Sequence, residues 1–258
     1  MEKGRLNKGF DIIGDIAIVK FDGKLNMAAK IRLLNDLMAK NKNIKRVFEK
    51  TGMIEGTERL PKLKQVIGKG STSLYKENGY SLYVDVKKVF FSPRMGNERL
   101  RVMNEIKHNE KILDMFCGVG PFAIPAAKKC KAVTAIDINK TAITLLEKNM
   151  KINKVNNIEY YCGDSGKIAK KIDGKFDRII MNFPLYAYKF LDTALKRAND
   201  KCTIHLYAFI KDGKTYSFKK DVKEKCSKYF KKIKIEEHKA GEVAPFLERY
   251  CFDLKLKN

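Results

Sequence analysis

The chain is 258 residues long and carries 54 Lys and Arg against 30 Asp and Glu, a formal charge of +24. Hydrophobic residues make up 44%, with 15 Phe and 11 Tyr among the aromatics, so a disordered basic tail is excluded and a folded core is expected. No run of about 18 uncharged apolar residues occurs, and the opening MEKGRLNKG is too polar for a secretory segment. A soluble, cytoplasmic protein with no membrane partner is therefore expected. Six cysteines lack any CxxC or CxxH spacing and mostly sit in apolar strings, so reduced core thiols are expected. Three dispersed histidines add no zinc pattern, and no metal is expected.

In chain order, FDIIGDIAIVKF (10–21) reads as strand around Gly14, and the apolar spacing of Leu25, Ala28, Ala29, Leu33 and Leu37 predicts a helix over 25–40. Short strands follow at KRVFEK, LKQVIG, TSLYKE, YSLYVDV and KVFF, with Asn78-Gly79 marking a tight hairpin. Ser92-Pro93-Arg94 breaks this pattern, which places a boundary between a small mixed α/β domain (1–92) and a second domain (93–258).

The second domain opens with a helix over 96–107 and then alternates. Strands are expected at 111–116, 132–137, 158–162, 176–181 and 203–210, with helices at 121–129, 140–153, 165–171, 186–199 and 216–229. Two last strands fall near 232–237 and 249–256. This alternation implies parallel βαβ units and hence an α/β, doubly wound, Rossmann-like sheet.

Such a sheet binds ligands at the carboxyl ends of its strands. The first loop is Asp114-Met-Phe116-Cys-Gly118-Val-Gly120-Pro. Glycines there let backbone amides come close to a ligand. The third glycine of a dinucleotide fingerprint is replaced by Ala123, and Asp114 stands where a pyrophosphate would have to sit. An acid beside glycines suits a cationic, phosphate-free ligand such as S-adenosylmethionine, and a dehydrogenase fits less well. Asp137 ends the second strand, placed to accept from ribose hydroxyls. Asp164 follows the third, placed to accept from an adenine amino group, with a helix N-cap as the plain alternative for both. Asn182-Phe183-Pro184 follows the fourth strand, where an amide and an aromatic ring can hold a planar heterocycle. An Asn-capped helix entered through a Pro turn is the competing account.

Taken together, the strings FDIIGDIAIV, KENGYSLYVDVKKVFFSPRMGNERLR, KILDMFCGVGPFAIPAA, AIDINKTAITLLEKNMKINK, IIMNFPLYAYKFLD and EVAPFLERYCFDL resemble the archaeal and eukaryotic tRNA (guanine-N1)-methyltransferases acting at position 37. The resemblance covers nearly the whole chain. It implies a class I methyltransferase domain, S-adenosylmethionine as donor and tRNA as partner through its anticodon stem-loop; a monomer is expected.

The chemistry needs a base for the guanine N1 proton and a donor for charge growing on O6. The resemblance assigns these to Glu98 and Arg59, with Asn182 receiving the guanine edge and Pro184 fixing its loop. It places Arg99 on the methionine carboxylate and Arg94 as a structural or phosphate-facing neighbour. Asp114, Phe116, Gly118, Gly120, Asp137, Ile138, Asp164, Ser165 and Asn182 are expected around the donor. From spacing alone, Glu98 would instead pair with Arg94 or Arg101, and Arg59 would be a solvated charge.

Of the basic residues, 44 are lysine and 10 arginine, dense over 211–239. That suits sequence-independent phosphate contacts that weaken with salt, although compositional bias also produces such surfaces. Only about ten residues precede the FDIIGDIAIV string, so the extra N-terminal domain of longer relatives is expected to be missing, and Phe90 stands where the family has Tyr. Three other readings compete: a wyosine-pathway 3-amino-3-carboxypropyl transferase, a dual enzyme that also methylates C7 of the tricyclic intermediate, and a non-catalytic tRNA-binding protein. The Asn-x-Pro segment and the Pro-Arg before Glu98-Arg99 favour N1 methyl transfer.

Overall fold

Near its start the chain reverses at Gly14, whose φ of 59° lies in the left-handed region. A Cβ there would stand 2.5 Å from the Leu74 carbonyl oxygen, so glycine is required both by conformation and by space. The computed structural model describes all residues except 1–4, 7–8, 23–24, 56–59 and 212, and it divides into two compact units, Met1–Arg94 and Met95–Asn258. Among the described residues no helix is long and apolar enough to cross a membrane.

In the first unit, β1 (Arg5–Leu6), β2 (Asp11–Ile13), β3 (Ile16–Val19) and β4 (Phe21–Asp22) are short. Helix α1 (Met27–Lys40) starts at Asn26, whose side chain accepts from Ala29 N at 2.9 Å. Strands β5 (Arg46–Glu55) and β6 (Leu60–Ile67) complete a four-stranded sheet in the order β2-β3-β5-β6, and β7 (Thr72–Glu77) pairs with β8 (Tyr80–Asp85). The β7–β8 hairpin turns at Asn78 and Gly79, with φ of 44° and 79°, the geometry that Asn-Gly favours. Arg46 ties the pieces together: it grips the Asp15 carboxylate and donates to the carbonyls of Gly70 (3.2 Å) and Thr72 (2.9 Å). Ala17, Val19, Leu34, Leu37, Ile44 and Val47 form the core.

The expected strand over KVFF does not form. Asp85 caps a turn there instead, its carbonyl accepting from Lys88 N (3.1 Å) and Val89 N (3.0 Å) and its carboxylate from Lys87 N (3.0 Å). A short polar side chain offers the backbone nearby partners and ends the ladder.

The second unit runs α2 (Gly96–Glu105), β9 (Lys111–Asp114), α3 (Ala123–Ala127), β10 (Ala132–Asp137), α4 (Lys140–Asn153), β11 (Ile158–Cys162) and α5 (Ser165–Lys171). It continues through β12 (Phe176–Met181), α6 (Leu191–Arg197), β13 (Ala198–Lys211), α7 (Thr215–Ser227), β14 (Lys232–Ala244) and β15 (Leu247–Lys257). Seven strands form one sheet in the order β11-β10-β9-β12-β13-β15-β14, parallel except where β15 runs antiparallel to both neighbours. The chain order reverses between β9 and β12, so the crevice falls between their carboxyl ends.

The expected helix over 186–199 is shorter than the spacing suggested. A tight 3₁₀ turn occupies Ala187–Phe190 and α6 follows it, because Ala187 N bonds back to the Phe183 carbonyl (2.7 Å) across the Asn-Phe-Pro turn. Along β13 and β15, alternate side chains divide between two faces. Ile204, Leu206, Ala208, Phe252 and Leu254 enter the apolar core shared with Val222 and Cys226 of α7, while His205, Tyr207, Cys251 and Asp253 bury on the other face.

Candidate active site

The first loop begins at Asp114, only 1% exposed. Its Oδ1 accepts a long hydrogen bond from Phe116 N (3.4 Å), and its Oδ2 is buried with no partner. Burial pushes this carboxyl up to about 8; the Phe116 N–H works against that shift and the nearby Asp137 charge adds to it. Gly118 and Gly120 hold φ of 52° and 91°. A Cβ on Gly120 would lie 2.6 Å from Leu146 Cδ1 and 2.8 Å from Ile124 Cγ1, so the loop packs tightly on α3 and α4.

Asp137 ends β10 and fastens two loops: Oδ2 accepts from Gly118 N (2.7 Å) and Oδ1 from Asn139 N (2.9 Å). Ile138, the next residue, is exposed. Asp164 is the N-cap of α5, Oδ1 accepting from Lys167 N at 2.8 Å, which is the structural role that the sequence left open for it. The adjoining Ser165 is buried and its Oγ lacks a partner. Phe116 packs against Phe183 and Phe190, with ring centroids 5.0 and 5.2 Å away.

Across the switch point, Asn182-Phe183-Pro184 leaves β12. The Pro184 carbonyl accepts from Phe209 N (3.4 Å), which attaches this loop to β13. Beyond it Leu185 and Tyr186 are exposed. Thus the topology brings Asp114, Asp137, Asp164 and Asn182 to the carboxyl ends of four adjacent strands.

Glu98 lies on α2 and is buried against β13. Its Oε1 accepts from Tyr207 OH (2.8 Å) and Arg101 Nη2 (2.8 Å), and its Oε2 from Arg101 Nε (2.8 Å). The Arg101 pairing foreseen from spacing is thus present, but inside the fold and not on a solvated turn. Arg101 also donates to Asp253 Oδ2 (2.6 Å) and Glu105 Oε1 (2.9 Å). Burial opposes its charge, yet hydrogen bonds to Glu98 and Asp253 outweigh that and raise its pKa.

Asp253 is fully buried. Burial disfavours its charge, but the bonds from His205 Nδ1 (2.6 Å) and Arg101 prevail and hold the carboxyl far below its ordinary value. The far nitrogen of His205 meets Arg178 Nη1 at 2.6 Å, and a guanidinium only donates, so the imidazole proton sits on Nδ1 facing Asp253. His205, Cys251 and Asp253 bring their ligand-type atoms within 4.8 Å of one another. With two guanidiniums already facing them, they read as an internal polar chain.

Arg99 is almost fully buried on the same helix. Arg94 falls in the other unit, where its Nε donates to Asp11 Oδ1 (2.6 Å). Arg59 lies outside the described residues. Five cysteines are buried as free thiols, while Cys162 is exposed. Sequence reasoning missed Tyr207, His205 and Asp253. The signal for them was the polar period-two pattern His205, Tyr207 within an otherwise apolar strand string, which marks two different faces.

A family model described as the TRM5/TYW2 methyltransferase domain matches residues 73–236. The chain belongs to the TRM5/TYW2 methyltransferase family. A second model of that family, the TYW2 N-terminal domain, matches residues 1–72. The chain is 42% identical over 232 residues to the tRNA (guanine(37)-N(1))-methyltransferase Trm5b of Pyrococcus abyssi, covering 89% of this chain and 69% of that one. Among solved structures it is similar to the complex of aTrm5 and tRNALeu, with a TM-score of 0.85 at 32% identity over 98% of this chain and 73% of that one. It is also similar to Methanocaldococcus jannaschii TYW2 in complex with AdoMet, with a TM-score of 0.74 at 26% identity over 97% of this chain and all of that one. The Rossmann-like methyltransferase fold expected from the sequence is the fold found.

Proposed function

We propose that this chain is an S-adenosylmethionine-dependent methyltransferase acting on N1 of guanosine 37 in tRNA. The observation that carries this reading is the buried Glu98 carboxylate, held by three donors from Tyr207 and Arg101, in a unit whose loop after β12 offers Asn182 and Phe183 to a purine. Identity to the Pyrococcus enzyme supports the same reading.

The residues fit the donor. Asp114 Oδ2 and Ser165 Oγ are buried polar atoms without partners, and a cation or hydroxyl would satisfy them. Gly118 and Gly120 let the loop turn at positive φ, and Asp137 can accept from ribose hydroxyls. Ile138 offers an apolar surface to a flat heterocycle. When bound, S-adenosylmethionine supplies an electrophilic methyl carbon attached to a sulfonium.

On the acceptor side, Asn182 would hold the guanine edge and Phe183 its face, with Pro184 fixing the turn. Glu98 would take the N1 proton at Oε2, the oxygen that accepts only one of the three bonds. Tyr207 and Arg101 keep that carboxylate in one orientation, so the proton acceptor is positioned before the RNA arrives. The surplus of lysine would meet phosphates without reading sequence.

Transfer of a 3-amino-3-carboxypropyl group at the same position is the second reading, favoured by the TYW2-type match over residues 1–72. One experiment separates the two: incubate the protein and donor with a tRNA carrying guanosine at position 37 and, in parallel, with one carrying the tricyclic base, then map the mass gained. A methyl group on guanosine 37 supports N1 transfer. An aminocarboxypropyl group on the tricyclic base overturns it in favour of the second reading, and no gain on either tRNA sinks both.

A further inference from the structure

On the buried polar face of β13 and β15, the register pairs His205 with Asp253, Tyr207 with Cys251 and Phe209 with Arg249. Helix α2 overlies this ladder, with Arg101 on Asp253 and Glu98 on Tyr207. Every rung except the last is internally satisfied. At Arg249 the guanidinium lies 5.5 Å from the Phe209 ring, and its Nε is buried with no hydrogen-bond partner. A desolvated cation with an unused donor costs stability unless an anion completes it. Burial lowers the pKa of Arg249 and the neighbouring Arg99 charge lowers it further, against an opposing effect of Tyr207.

The position of Arg249 argues for which anion it serves. The acids suited to the donor end β9, β10 and β11, whereas β15 lies three strands from β9 on the opposite side of the switch point. At a strand spacing of about 4.8 Å that is roughly 14 Å from the Asp114 strand, on the acceptor side. Phe209, which carries the Arg249 guanidinium on its ring, also donates its N–H to Pro184 of the acceptor loop. The lysine-lined hollow formed by Lys201, Lys232, Lys234, Lys255 and Lys257 sits at the other end of these strands and belongs to a different surface.

We propose that Arg249 holds a backbone phosphate of the acceptor RNA next to the base being modified. This rests on the reading of the chain as an RNA methyltransferase and extends it by naming the group that anchors the nucleotide. Arg249 is a binding residue in this scheme, and the planar guanidinium can engage a phosphate through two donors.

The test uses the full chain and a tRNA with guanosine at 37, measuring binding from low to high salt. Arg249→Gln should weaken RNA binding about tenfold and reduce the slope of log K against log salt by about 0.7 to 1. Affinity for S-adenosylhomocysteine should not change, which also certifies that the variant is folded. Arg249→Lys should keep most of the slope while losing part of the affinity. On wild-type protein, a methylphosphonate at one of the two phosphates flanking the target should cost about the same tenfold, and Arg249→Gln should show no further loss with that RNA. Unchanged RNA affinity and slope in Arg249→Gln, or indifference of the wild type to both methylphosphonates, overturns the proposal. So does a loss confined to S-adenosylhomocysteine, which would assign Arg249 to the donor carboxylate. If wild-type protein methylates guanosine 37 while these outcomes fail, only the phosphate assignment falls. If the wild type binds no RNA, the functional reading falls with it.

Discussion

The Tyr207 hydroxyl donates a 2.8 Å hydrogen bond to Glu98 Oε1 across 109 residues of chain. Together with Arg101 it fixes the carboxylate in one orientation. Tyr207→Phe should therefore lower the methylation rate constant by about tenfold while leaving donor affinity unaltered, and should cost about 2 kcal/mol of stability as a hydrogen bond to a charged group is lost. Single-turnover kinetics and denaturant melts check the two halves separately.

Removal of the proposed base should be far more severe. Glu98→Gln preserves size and most of the hydrogen-bonding surface but cannot take a proton, so the rate should fall on the order of 10²- to 10⁴-fold. S-adenosylhomocysteine titration should show unchanged affinity. Full turnover by Glu98→Gln across neutral pH would show that another group accepts the proton.

Asp114 supplies a pH signature. Burial raises its folded pKa to about 8, above an unfolded value of about 3.9. The sign follows: between those values the unfolded chain ionises here while the folded one stays protonated, so this site's contribution to stability is present at low pH and lost as pH rises toward 8. A cationic ligand that pulls the carboxyl into its ionised form must displace a proton. Calorimetry near pH 7 in buffers of different ionisation enthalpy should show proton release on donor binding, and Asp114→Asn should abolish that part of the release.

Gly120→Ala should be strongly destabilising. The new methyl would meet Leu146 and Ile124 at a backbone φ of 91°. Strain of that kind costs about 1–3 kcal/mol. A lowered melting temperature together with weakened donor binding is expected, and a neutral result would mean that the loop moves freely.

Asp253 anchors the internal polar chain. Its folded pKa is depressed, so its contribution is present above about pH 4 and lost as pH falls below it. Asp253→Asn removes the shared negative charge and turns an amide NH2 toward one of the donors Arg101 and His205, and should cost about 3–5 kcal/mol, measured by denaturant unfolding at neutral pH.

Period and punctuation made most of the second unit legible in advance. The strands at 132–137, 158–162 and 176–181 and the helices at 140–153 and 165–171 fall where the sequence placed them, because apolar spacing is local and parallel strands need covering helices. Gly14 and Asn78-Gly79 were equally readable, since a backbone with positive φ has few acceptable residues. The KVFF stretch was misread because its β-branched and aromatic composition suits a strand, while the capping by Asp85 that ends the ladder is a matter of geometry.

By itself, then, the order of residues determined the alternation of elements, the glycine loop and the acids at strand ends, all of which arise from interactions within a few residues. Only the tertiary structure decided that Glu98 is buried between Tyr207 and Arg101 and that Arg249 retains an unused donor. Those outcomes depend on which strands lie side by side and which face α2 covers, and sheet order brings together positions more than a hundred residues apart that no local pattern connects.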